Sequence, residues 1–366
     1  MGSVQDKIKE IEEEIGRTQY NKATEHHIGL LKAKIAKLRK ESMSRKRAGG
    51  ASGFDVKKSG DATVVFVGFP SVGKSTLLNA LTGAKSEVAA YAFTTLTCIP
   101  GVMEYNGAKI QFLDLPGVLE GAAAGLGRGR EVLAVARNAD LVLLMVDVFN
   151  PRRETLVNEL YQMGIRIDSR KPDVVITIKK QGGIEINSTV GKLSIDERLI
   201  KGILSEYSIH NAIVTIRENI NVDQFIDVVV GNRVYIPSVT VLNKVDLVTP
   251  EYLKHLKFEY LPVSAEKNYN VDKLKKMIYD RLKFIRVYTK PRGEEADLTE
   301  PMMMKYGSTF RDACSRLHRG LVTNFRYGMV WGKSAKHPGQ KVGLDHKLED
   351  GDIVSVVTKT GFVKEM

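Results

Sequence analysis

The sequence has few of the residues that disulfide-linked or membrane-spanning proteins require. Its 366 residues include only two cysteines, Cys98 and Cys314, which lie far apart in the chain. Two isolated thiols provide neither a disulfide framework nor a metal site, so we expect the reducing cytosol. No apolar run approaches the roughly 20 residues that span a bilayer. The N-terminal segment MGSVQDKIKE also lacks the apolar core of a signal peptide. We therefore expect a cytoplasmic protein without a membrane partner.

Acidic residues are in the minority. Lysine and arginine total 55 against 43 aspartate and glutamate residues, which gives a net charge of +12. Such a balance suggests a polyanionic partner, nucleic acid more than acidic lipid. A basic composition that serves only general solubility is the alternative. The length allows about two or three domains.

Residues 4–41 are predicted to form an antiparallel pair of helices. Apolar residues recur at spacings of three and four, which places them on one face of each helix: Val4, Ile8, Ile11 and Ile15, then Ile28, Leu31, Ile35 and Leu38. The second helix is strongly basic, and its cations are Lys32, Lys34, Lys37, Arg39, Lys40, Arg45, Lys46 and Arg47. One-sided charge favours contacts with phosphates, although a solvated helix face is the usual explanation of such a run.

From about residue 62, apolar strands alternate with helical segments, which is typical of a doubly wound, mainly parallel α/β sheet. The interval from Asp147 to Val239 is too long for one crossover, so it predicts an inserted module. Within it, residues 172–189 are predicted to form a β-hairpin around the turn QGG. A helix should follow, capped by Ser194 with Glu197 in capping-box spacing.

These patterns divide the chain into segments. From about residue 287, short strands surround one helix, which predicts a compact C-terminal α+β domain. The predicted parts are an N-terminal helical hairpin with linker (1–60), a first α/β part (61–167), an inserted small α/β module (168–235), a second α/β part (236–286) and the C-terminal domain (287–366).

The segment GFPSVGKST follows a strand and precedes a helical run. It matches G-x-x-x-x-G-K-[ST], whose backbone N–H groups surround a phosphate at the start of a helix. Lys74 should reach the β- and γ-phosphates, and the hydroxyl of Ser75 should bind Mg²⁺. The expected phosphate-binding residues are Gly68, Phe69, Pro70, Ser71, Val72, Gly73, Lys74, Ser75 and Thr76.

The tetrapeptide DLPG ends another apolar strand. Asp114 can hold Mg²⁺ through water, and the N–H of Gly117 can bond the γ-phosphate. Between these two motifs lies YAFTT, residues 91–95. There, Thr95 is the candidate switch residue that binds Mg²⁺ only while the γ-phosphate is present; a strand-forming Thr-Thr pair is the alternative. Lys74, Thr95 and Gly117 are the residues expected to act in catalysis.

The segment NKVD predicts which base is bound. Guanine presents two donors along one edge, which the carboxylate of Asp246 can accept, whereas adenine would leave that carboxylate unpaired. The stem of Lys244 can lie across the base, and Asn243 can brace the loop. Downstream, the segment SAE (Ser264, Ala265 and Glu266) should supply a backbone N–H to guanine O6, assigned to Ala265.

Together these segments resemble the Obg family of GTPases. The resemblance rests on GFPSVGKSTLLNALTG, YAFTTL, DLPGVLEGAAAGLGRGRE and NKVD. The N-terminal hairpin and the C-terminal segments IRVYTKPRG and LVTNFRYGMVWGKSAKHPGQKVGLDHKLEDGDIV are similar to the developmentally regulated GTP-binding protein subfamily, of an archaeal type. The match covers nearly the whole chain.

The resemblance implies a fold and a role. It implies a P-loop GTPase domain interrupted by a module similar to a ribosomal-protein domain, and a C-terminal TGS domain of β-grasp fold. It also implies GTP and GDP as ligands with Mg²⁺, association with the ribosome, rRNA or tRNA, and a stabilising partner protein. We expect a monomer that acts as a translation-associated switch.

One position departs from Ras-like enzymes. Val118 stands where those enzymes have a water-orienting glutamine, so we expect slow hydrolysis until a ribosome or partner orders the switch loops. Potassium is a candidate cofactor, although Ser71 aligns with the asparagine that helps to hold it in some relatives. Arg128 and Arg130 could offer charge to the phosphates or form a solvated loop.

Two other functions stay open at this stage. The first is an enzyme that uses the loop for ATP, against which NKVD argues. The second is an RNA- or partner-binding protein that keeps nucleotide as a structural ligand. In its C-terminal region, basic residues alternate with Phe325, Tyr327 and Trp331. That pattern suits RNA, and it suits an aromatic core equally well.

Overall fold

The computed structural model describes residues 4–45, 60–83, 99–114, 135, 138–291 and 293–359. These residues fall into two compact units. One unit comprises residues 4–45 and 159–236, and the other comprises the remaining described residues. Within the described ranges no helix combines the length and apolar character needed to cross a membrane.

The elements follow the chain in this order. The helices are α1 (Val4–Arg17), α2 (Glu25–Arg45), α3 (Lys74–Thr82), α4 (Arg153–Gln162), α5 (Glu197–Glu206), α6 (Val222–Val230), α7 (Pro250–Leu253), α8 (Val271–Leu282), α9 (Phe310–Leu317) and α10 (Arg319–Thr323). The strands are β1 (Ala62–Gly68), β2 (Ile99–Tyr105), β3 (Ala108–Asp114), β4 (Leu141–Asp147), β5 (Ile165–Ile167), β6 (Val174–Ile178), β7 (Ile184–Ser188), β8 (Ala212–Ile216), β9 (Val234–Ile236), β10 (Ser238–Asn243), β11 (Leu261–Pro262), β12 (Phe284–Thr289), β13 (Asp297–Lys305), β14 (Phe325–Trp331), β15 (Gln340–Val342) and β16 (Asp352–Thr358).

The N-terminal helices pack through their apolar stripes. Ile11 of α1 is buried against Leu31 and Ile35 of α2, and the neighbouring stripe residues pack around them. This contact confirms the predicted helical pair. The opposite side of α2 contributes Ala33 and Ala36 to a core shared with α5 and α6. Because α2 is apolar on two sides, it joins the hairpin to the inserted module.

Four cations of α2 have partners within the same unit. Lys32 Nζ lies 2.9 Å from Asp223, Arg39 donates to Glu12 at 2.7 Å, and Lys40 donates to the carbonyl of Val230 at 2.8 Å. Lys37 lies 3.6 Å from the carboxylate of Glu206. These four cations of α2 therefore serve packing inside this unit, which weakens the expectation that they contact phosphates. Lys34 is exposed, and Lys46 and Arg47 lie outside the described residues.

The inserted module contains a three-stranded sheet in the order β6-β8-β7. β8 runs antiparallel to β6 and parallel to β7, so the predicted β-hairpin of β6 with β7 is wrong. β8 takes the central place because its alternate residues Ala212, Val214 and Ile216 are fully buried. The segment QGG instead connects β6 to β7, which lie on opposite sides of β8.

The start of α5 also differs from the prediction. Its N-cap is Asp196, whose carboxylate accepts a hydrogen bond from the N–H of Arg198 at 3.3 Å. Ser194 is occupied elsewhere, because its N–H donates to Asn219 Oδ1 and its hydroxyl accepts from Asn219 Nδ2, both at 2.8 Å. The capping box assigned to Ser194 is therefore wrong.

A buried ion cluster lies in the same unit. Arg166 donates two hydrogen bonds of 2.6 Å to Asp227, and Arg233 donates a third of 2.8 Å. The side chains of Arg166 and Asp227 are only 7% and 6% exposed. The guanidinium of Arg166 also stacks 3.5 Å above the ring of Tyr161, and burial raises the pKa of that phenol to about 12. This carboxylate is thus the shared counterion of two arginines that water reaches poorly.

The second unit contains a six-stranded sheet in the order β11-β10-β4-β1-β3-β2. β2 pairs antiparallel with β3, and all other neighbours are parallel. Every residue of β1 and β4 is buried. This is the predicted doubly wound sheet. The carboxyl ends of its parallel strands lie at one edge, where ligands bind in such folds.

A five-stranded sheet in the order β13-β12-β16-β14-β15 follows in the C-terminal part. β12 and β16 are parallel, and the other neighbours are antiparallel. Phe310 of α9 is fully buried against one face. Gly328 permits this contact, because a Cβ there would lie 2.3 Å from the Phe310 ring. A mixed sheet with α9 and the short α10 packed on its core is the β-grasp arrangement expected for this segment.

Candidate functional site

The glycine-rich loop after β1 leaves no room for side chains at its two motif glycines. A Cβ on Gly68 would lie 2.6 Å from the carbonyl oxygen of Met145. Gly73 has a φ of +91°, and a Cβ there would lie 2.4 Å from Asn243 Nδ2. Between them, Phe69 and Val72 are buried, whereas Pro70 and Ser71 are exposed. Burial of these two side chains anchors the loop and leaves its main chain at the start of α3.

Lys74, the first residue of α3, points back over this loop. Its Nζ donates hydrogen bonds to the carbonyl oxygens of Gly68 at 3.2 Å and Phe69 at 3.0 Å. The side chain is buried, and this burial lowers its pKa while the nearby Asp114 opposes the shift. An ammonium that is desolvated and held only by neutral carbonyls is well suited to receive a phosphate oxygen. Thr76, two residues on, is exposed.

Asp114 ends β3 beside Ser75. The hydroxyl of Ser75 donates to Asp114 Oδ2 at 3.1 Å. The other oxygen, Oδ1, is buried and has no hydrogen-bond partner among the described residues. Burial raises the pKa of this carboxyl group, and Lys74 and Ser75 partly counteract the rise. A buried carboxylate oxygen without a donor fits a bound cation or its water, so these two residues suit Mg²⁺.

Asn243, at the end of β10, connects the two predicted binding loops. Its Nδ2 donates to the carbonyl of Val72 at 2.9 Å, and its Oδ1 accepts from the N–H of Ala265 at 3.1 Å. The side chain is only 3% exposed. The N–H of Ala265, assigned above to guanine O6, thus donates to Asn243 here. A guanine would share this donor or replace its partner.

Lys244 adopts a left-handed conformation with a φ of +62°. Its Nζ donates to the carbonyl of Ser71 at 2.8 Å and to Asp147 Oδ2 at 2.7 Å. The ring of Phe149 lies beside it, with its centroid 5.9 Å from Nζ. The ammonium group of Lys244 is therefore held by both Ser71 and Asp147, and its stem extends from the NKVD turn to the glycine-rich loop.

Asp147 was missed by the sequence analysis. It ends β4 directly beside Asn243, because the parallel register pairs these two residues. Its Oδ1 accepts from the backbone N–H of Phe149 at 3.2 Å and of Asn150 at 2.8 Å. The signal was available, since this aspartate ends its strand as Asp114 ends β3. Its partner 97 residues later could not be identified from spacing.

The remaining predicted residues are distributed as follows. Asp246 lies in a short 3₁₀-helix, Val245–Leu247, and is exposed, as is Glu266. Ser264 is buried, and its hydroxyl accepts from the N–H of Lys267 at 3.2 Å. Thr95, Gly117 and Val118 lie outside the described residues, and so do Arg128 and Arg130. The described part thus brings together the predicted phosphate loop, Asp114 and the NKVD turn.

Family models match three consecutive segments of the chain. Residues 63–180 match a domain described as "50S ribosome-binding GTPase", and residues 181–284 match the C-terminal region of the same domain type. Residues 285–358 match the TGS domain. Fold, site and matches together define a P-loop GTPase that carries a C-terminal TGS domain.

Named relatives match nearly the whole chain. An uncharacterized GTP-binding protein of Methanocaldococcus jannaschii is 58% identical over 97% of this chain and 93% of its own length. Developmentally-regulated GTP-binding protein 1 of Xenopus laevis is 50% identical over 96% of this chain and 98% of its own. Developmentally-regulated GTP-binding protein 2 of Homo sapiens is 48% identical over 97% and 99%. The chain belongs to the developmentally regulated GTP-binding protein family, which confirms the resemblance drawn from its motifs.

Proposed function

We propose that this protein binds GTP with Mg²⁺ and hydrolyses it slowly to GDP and phosphate, as a switch that associates with the ribosome. The observation that carries the proposal is the position of Asn243. Its side chain joins the phosphate loop at Val72 to the SAE segment at Ala265, with distances of 2.9 and 3.1 Å. A triphosphate and a guanine base would thereby occupy one prearranged site.

Each residue then has a defined task. Lys74 moves from the loop carbonyls to the β- and γ-phosphates, and Asp246 accepts both donors of the guanine edge. Bound Mg²⁺ would offset charge on the phosphates, and Ser75, Asp114 and Thr95 would hold it. The N–H of Gly117 would bond the γ-phosphate, so that its loss releases the loop that follows.

The slow rate is proposed from Val118, since a valine cannot orient water. Even a Ras-type enzyme hydrolyses GTP alone at only about 10⁻⁴ to 10⁻³ per second. We propose that a ribosome, with a stabilising partner protein, raises this rate by ordering the switch segments. Potassium is proposed as an additional positive charge at the phosphates, and the cytoplasm as the site of action of a monomer.

The test is the rate of GTP hydrolysis by the full chain, with and without ribosomes, in potassium and in sodium. We expect slow turnover that rises with ribosomes, and a faster rate in potassium if this ion acts at the site. Turnover of ATP at the rate of GTP would support an ATP-using enzyme. Tight nucleotide binding without turnover, even with ribosomes, would support a purely structural ligand.

A further inference from the structure

The face of the five-stranded C-terminal sheet that lies opposite α9 presents partly exposed aromatic and apolar side chains. Side chains alternate along a strand, so the neighbours of buried Val330 and Val354 point to the other face. Tyr327, Met329 and Trp331 of β14 lie there, with Ile353 of β16 and Tyr288 of β12, and all five are partly exposed. We call these five residues the open face.

The register places the open-face residues in rows. Ile353 pairs with Trp331 on one side and with Tyr288 on the other. Along β14, Tyr327 lies four residues before Trp331, and Met329 lies midway between them. At about 3.4 Å per residue, successive open-face positions are about 7 Å apart. This spacing is close to that of successive nucleotides in an extended strand, so each position can receive one base.

Cations lie over a face of two of the rings. Lys290 Nζ lies 5.1 Å from the centroid of Trp331, and Lys341 Nζ lies 5.0 Å from that of Tyr327. The guanidinium of Arg326 lies 6.0 Å from the Tyr327 ring. Among the described residues no carboxylate forms an ion pair with these three cations. A phosphate beside each ring would therefore meet an unneutralised charge.

The surrounding sequence has the same sign. Residues 319–347 contain six cations (Arg319, Arg326, Lys333, Lys336, Lys341 and Lys347) and one acidic residue, Asp345. Lys32, Arg39 and Lys40 of α2, by contrast, are engaged within their own unit. Charge complementarity thus favours a polyanion on the C-terminal sheet over one on the helical hairpin.

We propose that the open face binds single-stranded RNA, with bases stacked on Trp331 and Tyr327 and phosphates paired with Lys290 and Lys341. Aromatic platforms on sheets bind single strands in this way, because every base has a stacking surface. Double-stranded RNA hides its bases and cannot stack on these rings. The inference deepens the proposed ribosome association, on which it rests, by naming the contact surface and the class of RNA.

Trp331 provides a direct readout, because it is the only tryptophan in the chain. A labelled oligouridylate of 12 nucleotides is titrated with the full-length protein at low salt, and binding is followed by anisotropy and by tryptophan fluorescence. We expect binding with quenched tryptophan emission. Duplex RNA of equal length should bind more weakly and leave the emission unchanged.

Variants separate stacking from charge. Removal of one stacking ring costs about 1–3 kcal/mol, so Tyr327→Ala should raise the Kd roughly 5- to 150-fold, whereas Tyr327→Phe should bind normally. The double variant Lys290→Ala/Lys341→Ala should lose two phosphate contacts. Each contact contributes about 0.7 to the slope of log K against log salt for a single strand, so the slope should become less steep by about 1.4. The matched control, Lys171→Ala/Lys180→Ala, removes two exposed lysines of the inserted module and should change nothing.

Each contrary outcome has a definite meaning. Unchanged tryptophan emission on RNA binding, or equal Kd values for Tyr327→Ala and the parent, would overturn the proposal. If RNA does not bind and a protein partner protects the amides of the open face from hydrogen exchange, the surface is a protein-binding site and the proposal is overturned. If RNA binding fails but cosedimentation with ribosomes persists, this inference falls and the proposed function stands. If GTP turnover fails while RNA quenches the emission of Trp331, the proposed GTPase function falls and the assignment of RNA to the open face stands.

Discussion

Asn243 Nδ2 donates a hydrogen bond of 2.9 Å to the main-chain carbonyl of Val72. The last residue of β10 therefore contacts the glycine-rich loop, although 171 positions separate the two partners. The loops proposed for phosphate binding and base recognition are joined by this one side chain. Mutations here are expected to affect both.

Asn243→Ala should weaken GTP binding and destabilise the second unit. The change leaves the carbonyl of Val72 and the N–H of Ala265 without their partner, and each unsatisfied buried group costs about 1–3 kcal/mol. We expect a rise in Kd of at least tenfold, measured by titration with a fluorescent GDP analogue. Asn187→Ala, on an exposed strand position, is the matched control and should bind normally. Equal affinities would show that Asn243 does not support the site.

Asp147→Asn should lower affinity without altering the choice of base. Asparagine retains an oxygen for the N–H groups of Phe149 and Asn150, but it removes the charge 2.7 Å from Lys244 Nζ. Hydrogen bonds to charged groups contribute about 1.5–3 kcal/mol, so the Kd for GTP should rise roughly tenfold or more. The ratio of GTP to ATP affinity should stay constant. A changed ratio would mean that Asp147 takes part in base recognition directly.

Lys74→Ala should abolish retention of nucleotide. The change removes the charge-assisted bonds proposed to the β- and γ-phosphates, which predicts a loss in affinity on the order of 100-fold or more. Thermal stability without nucleotide should not fall, because burial disfavours the charged form of this side chain. Lys273→Ala on the exposed side of α8 serves as control. Unchanged GTP affinity would rule out the phosphate assignment.

Asp227→Asn should destabilise the unit that contains the inserted module. The change leaves Arg166 and Arg233 without a buried counterion, and such a loss typically costs about 3–5 kcal/mol. Asp223→Asn breaks a pair with Lys32 that is about 40% exposed, and should cost less than about 1 kcal/mol. Amide hydrogen exchange in α6 gives the free energy of opening for both variants. Equal values for both would contradict the role assigned to the buried cluster.

Local patterns predicted the features that depend on a few consecutive residues. The helical stripes of Ile11, Leu31 and Ile35, the glycine-rich loop and the parallel sheet each follow from periodicity or from a strand–loop–helix motif. The short strands around one helix predicted a compact C-terminal α+β domain, and its β-grasp fold was implied by the family resemblance. These features are set by burial and backbone geometry within short segments.

Long-range pairing could not be predicted in the same way. In the order β6-β8-β7, β8 lies between the two strands that the turn QGG connects. Burial of the apolar residues of β8 outweighs the tendency of QGG to form a hairpin between β6 and β7. Lys32 and Lys37 of α2 lie beside carboxylates about 170 to 190 residues away, which no local pattern encodes. The contact between Asp147 and Lys244 is of the same kind. Tyr327 and Trp331 left two interpretations open, and only the sheet showed which face they occupy.

The choice of base is the central claim, and competition between GTP and ATP for the purified full-length protein tests it most directly. The account predicts that GTP displaces a labelled GDP analogue at concentrations lower than ATP by several powers of ten. It also predicts that Asp246→Asn reduces this preference and favours xanthosine triphosphate, whose 2-oxo group accepts from an asparagine. Equal displacement by ATP and GTP, or an unchanged preference in Asp246→Asn, would contradict it.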